Sequence, residues 1–170
     1  MDCLEANGKQ VLQEKLFDAG RVLLMRNITC RAAAFIIKEN KLLFAKNVNS
    51  PYYYFIGGKI EENESSEEAI IREIFEETGL KLEIDRLVMV QERFYSLDNQ
   101  NHHEIVFFYL IKNGDTVDIA ENTFTDQGTD ETLHWLPLNG LSEFNIVPKF
   151  LKTKSFDDMK AIEHVIVKEE

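Results

Sequence analysis

Two cysteines, three prolines, one tryptophan and no Lys/Arg run longer than two are all that this 170-residue chain holds of those features. Each shortage closes off a class of protein. Cys3 and Cys30 offer neither a disulfide framework nor metal-ligand spacing, which fits a reduced, cytoplasmic setting. The formal net charge of −11 gives no electrostatic footprint for a nucleic acid, so none is expected as a partner. Unbroken apolar runs such as 32–37 are far too short to cross a bilayer, and no membrane partner is expected. Asp2, Glu5, Lys9, Glu14 and Lys15 leave the first residues without a secretory apolar core. There is no internal repeat and no low-complexity segment.

What is present is 44% hydrophobic residues in a length that suits one domain with a substantial core. Residues 1–26 read as an N-terminal extension, weakly helical over 11–17, and 27–170 as a single domain. The pattern predicts a hairpin from 28–37 and 42–47 about the polar turn 38–41. An extended piece, 53–60, then leads to a helix. Next come one bent strand or two over 82–95, a polar loop at 96–102, and a buried strand at 105–111. Asn113-Gly114 is expected to turn that strand into a partner at 117–119. Turn-rich 123–132, apolar 133–138, a helix interrupted near Pro148 within 141–151, and a last strand at 161–167 complete the order. Strands on both sides of a central helix suggest a mixed sheet between helices.

The helix is the most informative segment. Ser65 and Glu68 form a capping-box pattern at its start, and Gly79 can end it in the left-handed conformation. Ile70, Ile71, Ile74 and Phe75 make an apolar stripe for packing on a sheet. Glu73, Glu76 and Glu77 fall within about a third of the helix circumference, so three carboxylates share one patch. Like charges one turn apart repel, and Arg72 offsets only part of that. A hard cation such as Mg²⁺, which takes carboxylates, waters and phosphate oxygens, would neutralise the patch.

Gly58, Glu64, Arg72-Glu73, Glu76-Glu77 and Gly79, with Ile74 and Leu80 apolar, stand at the spacing of the Nudix box, and the segment resembles the signature of the Nudix hydrolases. The resemblance is specific over 57–80, and the order of elements extends it to roughly 27–150. It implies an α/β/α sandwich and hydrolysis of a diphosphate bond with Mg²⁺ or Mn²⁺. Glu73, Glu76, Glu77 and the carbonyl of Gly57 would be ligands. Arg72 would orient the carboxylates, and Glu64 would hold the loop. In that family the base is either a box glutamate or a carboxylate from a later loop; Glu104 is the first candidate outside the box and Glu92 the second. Arg31, Gly58 and Glu92 are placed at the substrate. His102 and His103 are candidates for phosphate contact or proton transfer. Tyr52, Tyr53, Tyr54, Phe94 and Trp135 are candidates for stacking on a base. One departure stands out: where the family often has proline before the glycine pair, this chain has Ile56, which is expected to loosen the approach to the loop.

The expected substrate is a nucleoside diphosphate linked to a further group X: a nucleoside triphosphate, a nucleotide sugar such as ADP-ribose, or a dinucleoside polyphosphate. A catalytically silent sensor on the same fold is the alternative, and it predicts a lost box carboxylate. A prenyl diphosphate isomerase, a third reading, would need a placed cysteine and glutamate that nothing around Cys30 announces. Homodimers are common in the family, and the sequence marks no interface.

Overall fold

The computed structural model describes residues 28–169 apart from 98, 126, 127, 129, 157 and 158. The predicted N-terminal extension therefore lies outside the described residues. Among the described residues, nine strands and one α-helix follow in the order β1 (Ile28–Phe35), β2 (Ile37–Lys38), β3 (Lys41–Asn47), β4 (Gly57–Lys59), α1 (Ser66–Thr78), β5 (Ile84–Leu97), β6 (Gln100–Ile111), β7 (Thr123–Phe124), β8 (Glu131–Pro137) and β9 (Glu163–Lys168). They form a mixed five-stranded sheet, β4-β1-β6-β5-β9, and a four-stranded sheet, β2-β3-β8-β7. Within the first, β1 runs parallel to β6 and β5 parallel to β9, while β4 and the β5–β6 pair are antiparallel.

The first segment serves both sheets. β1 enters the five-stranded sheet through Ala32, Ala33 and Ala34, all buried, while β2, one residue later, pairs with β3 in the other. The expected hairpin thus survives only at its tip, where Glu39 and Asn40 take positive φ. Small side chains on β1 let α1 lie close on one face: Ala32 and Ala34 share a cluster with Ala69, Ile70, Ile74 and Tyr109. Ile70 and Ile74 are fully buried, each worth about 2 kcal/mol by removal from water. The opposite face carries Ala33, Phe35, Phe55, Val106 and Phe108, with Leu141 and Leu151 packed over them. Those two come from short 3-10 helices, Leu138–Glu143 and Lys149–Thr153, in place of the predicted helix interrupted at Pro148.

Other differences have local causes. Residues 84–97 are one strand, whose irregularity is confined to register shifts at Ile84/Arg86 and Leu87/Met89. The loop expected at 96–102 is mostly strand, because β6 starts at Gln100 and Asn99 turns the chain with φ 61°. Asn113-Gly114 does not make a hairpin. A 3-10 turn, Gly114–Thr116, follows instead, and Gly114 packs so tightly that a Cβ would lie 2.2 Å from the carbonyl oxygen of Ile37. Among the described residues no helix is long and apolar enough to cross a membrane.

Candidate active site

Both ends of α1 are built as its sequence implies. The Ser65 hydroxyl accepts from the Glu68 N–H, the Glu68 carboxylate accepts from the Ser65 N–H, and Gly79 at φ 70° closes the last turn by donating to the Phe75 carbonyl. The buried face differs from the predicted stripe. It consists of Ala69, Ile70, Glu73, Ile74 and Glu77, while Ile71 and Phe75 stand about half exposed. Two carboxylates therefore point inward with the isoleucines, and the third, Glu76, stays exposed.

The glycine pair explains how the inward carboxylates fit. Gly57 has φ 141°, and a Cβ there would meet the Ala32 carbonyl oxygen at 2.2 Å. A Cβ on Gly58 would meet the Glu73 carboxylate at 2.1 Å. Without side chains, the strand β4 can pair with β1 and still leave room for Glu73. The N–H of Gly57 donates to Glu77 Oε1 at 3.0 Å. Ile56, at the proline position, is fully buried, and its carbonyl accepts from the Ala34 N–H at 3.0 Å. The isoleucine thus anchors the approach by packing.

Arg72 ties the loop to the helix. Its Nε and Nη2 donate to the two oxygens of Glu64 at 2.8 and 3.0 Å, and Nη2 also reaches the Lys59 carbonyl at 3.1 Å. Nη1 donates to Glu73 at 2.8 Å and to Glu76 at 3.3 Å. The guanidinium, with the N–H of Glu61 assisting, holds the Glu64 carboxyl well down, at about 2. Glu77 is the opposite case. It is 6% exposed, and its Oε2 has no partner among the described residues. Burial pushes its carboxyl up to about 8, against the Gly57 N–H, with the nearby charges of Glu131 and Glu73 adding to the rise and Arg31 opposing it.

A cavity of about 770 Å³ opens beside this cluster and reaches Gly57. Arg31, Tyr52, Tyr54, Gln91, Arg93 and Glu104 are among its polar and aromatic lining. Arg31 is half-buried and makes no ion pair among the described residues. Glu104 accepts from the Tyr95 hydroxyl at 3.1 Å and faces Arg93 Nη1 at 3.6 Å. Through Ala33, the residue Gly57 lies in one row with Phe108, four residues along β6 from Glu104. At about 3.3 Å per residue, Glu104 is some 13 Å of strand away from the glycine pair.

Glu92, the other carboxylate considered, projects on the far side of β5. It meets His164 Nε2 at 2.9 Å and His103 Nε2 at 3.8 Å and does not line the cavity. His103 stacks on Phe94 on that same far side, and His102 stacks on Tyr95. Of the aromatics, Tyr52 and Tyr54 line the cavity. Trp135 instead donates its indole N–H to the Ile119 carbonyl, and Tyr53 packs against the second core cluster. Three residues that sequence reasoning passed over belong here: Gln91, Arg93 and Glu131. The first two alternate with Tyr95 at positions 91, 93 and 95, a period-two signal that marks one face of a strand. Glu131 accepts a very short hydrogen bond from the Tyr54 hydroxyl; burial and then that carboxylate push the phenol pKa up. No local signal in the sequence joins those two residues, 77 positions apart.

With the architecture and the cleft defined, likeness to known proteins can be placed on them. The NUDIX domain model matches residues 28–154, and the chain belongs to the Nudix hydrolase family. It is 32% identical over 129 residues to an ADP-ribose pyrophosphatase of Methanocaldococcus jannaschii, covering 71% of each chain. It is 34% identical over 95 residues to a Bacillus subtilis (strain 168) protein provisionally named an 8-oxo-dGTP diphosphatase; that match covers 54% of this chain and spans 60% of the relative's length. The crystal structure of a MutT protein from Bacillus halodurans shares the fold, with a TM-score of 0.61 at 16% identity over 81% of this chain and 90% of that one.

Nudix hydrolases generally use divalent metals, and the residues here fit such an ion. The donors are all oxygen, the class that hard cations take. Glu77 Oε2 is a buried acceptor lacking a donor, and Gly58 leaves space for the Glu73 carboxylate. Among the described residues no three Asp, Glu, His or Cys side chains yet converge on one point. Arg72 holds Glu73 and Glu76, so convergence requires both to turn from the guanidinium towards Glu77.

Proposed function

We propose that this chain is a Mg²⁺- or Mn²⁺-dependent pyrophosphohydrolase of the cytoplasm that splits the diphosphate bond of a nucleoside diphosphate linked to another moiety. The observation that carries the reading is Glu77, whose Oε1 accepts from the N–H of Gly57 while its buried Oε2 has no partner among the described residues, beside a cavity of about 770 Å³ that Gly57 borders. A volume in that range suits a nucleotide-sized ligand. Glu73, Glu76, Glu77 and the carbonyl of Gly57 would hold the ion, which when bound neutralises charge on the phosphates and makes water a stronger nucleophile.

The chain's own residues would do the rest. Arg31, a cation in the cavity with no carboxylate paired to it among the described residues, binds a phosphate oxygen and orients the diphosphate toward the glycine pair. Arg72 keeps the helix and the glycine loop in register, and Glu73 and Glu76 turn from its guanidinium towards Glu77 when the ion binds. Distance separates Glu104 from the reacting end, so the water proton goes to a box glutamate, and Glu104→Gln should leave kcat within a few-fold of wild type. The name of the Methanocaldococcus relative and that of the Bacillus relative both point to nucleotide diphosphate bonds.

A phosphate-release screen tests this directly. Purified protein with Mg²⁺ is offered nucleoside triphosphates, nucleotide sugars and dinucleoside polyphosphates, with a phosphatase added to report phosphomonoester products. Turnover that disappears with a chelator while the protein stays folded supports the reading. Silence across the panel, or chelator-insensitive turnover, contradicts it.

A further inference from the structure

We infer that Gln91 selects the base of the substrate, donating its carboxamide N–H to a carbonyl on the base edge at the floor of the cavity. The inference rests on the hydrolase reading above and assigns it a specificity residue.

Gln91 sits where a strand ordinarily places an apolar residue. It belongs to β5, inside the five-stranded sheet, and stands opposite Val106 on one side and Val165 on the other. Neither valine side chain can accept a hydrogen bond. The residue is 1% exposed, and its Nε2 has no partner among the described residues. Burying an unpaired amide donor is unfavourable, and a valine here would pack against its neighbours without that cost. What distinguishes the position is that it lines the cavity. The missing partner is therefore best supplied from the cavity.

The sheet register places the other end of the same ligand. One row across the five strands reads Lys59, Arg31, Val106, Gln91, Val165. Arg31 and Gln91 are two strands apart, about 10 Å between backbones. That interval suits a nucleoside with its phosphates on Arg31, near the glycine pair, and its base on Gln91. Two residues along β5, Arg93 is held too firmly to serve as a second phosphate clamp. Its Nη2 meets Glu169 at 2.7 Å, its Nη1 faces Glu104 at 3.6 Å, and its guanidinium lies 4.3 Å from the centre of the Tyr95 ring. With its charge matched by two carboxylates, Arg93 presents a fixed planar wall beside the amide, a surface on which a heterocycle can stack.

A free donor at Gln91, with Arg93 Nε the second unpartnered donor of the lining among the described residues, favours bases with a carbonyl at purine position 6 or pyrimidine position 4, as in guanine and uracil, over those with an amino group there, as in adenine and cytosine. The test compares wild type, Gln91→Leu and Gln91→Glu. Its readouts are kcat/KM for GTP, UTP, ATP and CTP, with inorganic tripolyphosphate as a base-free control, and calorimetric affinity for the four nucleoside monophosphates. Wild type should prefer the carbonyl pair by about tenfold or more. Gln91→Leu should flatten that preference with its melting temperature unchanged or raised, and Gln91→Glu, which exchanges donor for acceptor, should reverse it. Tripolyphosphate should not distinguish the three proteins. Equal losses on all four bases and on tripolyphosphate, or a preference that survives in Gln91→Leu, would overturn the assignment. If wild type turns over nothing, the hydrolase reading fails on its own, and monophosphate affinities still decide Gln91: base-dependent binding flattened by Gln91→Leu supports it, and base-blind or absent binding overturns it.

Discussion

At the glycine-pair end of the cleft, the side-chain contacts made by Gly57, Glu64 and Arg72 join residues no more than 20 positions apart. The floor around Gln91 is assembled otherwise, from β1, β5, β6 and the end of the chain, with Arg93 reaching Glu169 across 76 positions. The two regions also differ in what they leave unpaired. One offers an acceptor, Glu77 Oε2, and the other a donor, Gln91 Nε2. A cleft with an unmet acceptor at one end and an unmet donor at the other is suited to a ligand of mixed character, with a cation at its phosphates and a polar base at its far end.

That contrast can be broken most severely at the acidic end. Glu77→Gln keeps the shape and the Gly57 contact but removes the charge, so kcat should fall by more than about 10²-fold while circular dichroism and melting stay near wild type. Near-normal turnover would remove Glu77 from the reaction. Arg72→Lys keeps a charge but loses the fork that engages Glu64, Glu73, Glu76 and Lys59 together; activity or ion affinity should drop by about 10- to 100-fold. Arg31→Ala should raise KM by about tenfold, with a smaller effect on kcat, as expected for loss of a charged hydrogen bond to phosphate. A loss in kcat alone would instead place Arg31 at the reacting atoms.

The smallest effect concerns pH. Glu64 is held at about 2 in the folded protein against an ordinary 4.5. Its folded value is depressed, so its contribution to stability is complete above about 4.5 and is lost as pH falls towards 2. The melting-temperature gap between wild type and Glu64→Gln should be steady from pH 7 to 5, narrow below that, and vanish near pH 2. A gap that persists at pH 2 would mean that Glu64 acts through packing.

The same contrast explains what could be read before the fold was known. Residues 57–80 were legible because their spacing, capping and charge are local. The apolar stripe of α1 was half right: Ile70 and Ile74 are buried, but Glu73 and Glu77 share their face, and periodicity alone places carboxylates in solvent. On β5 a shift of one residue decides the face. Glu92 was considered and Gln91 was not, yet Gln91 lines the cavity while Glu92 meets histidines behind the sheet. A strand buried on both sides, as Val88 to Gln91 nearly is, carries little alternation from which to choose. Glu131 was beyond reach for a different reason, since Tyr54 bridges Ala45 of β3 and only the pairing of β3 with β8 brings Glu131 to it.

In the proposed site the carboxylates of α1, with Glu77 among them, hold a divalent cation at one end of the cleft. Calorimetric titration of Mn²⁺ into wild type and Glu77→Gln tests it without a substrate. Wild type should bind Mn²⁺ saturably, and the variant at least about tenfold more weakly. Equal affinity in the two proteins would contradict it.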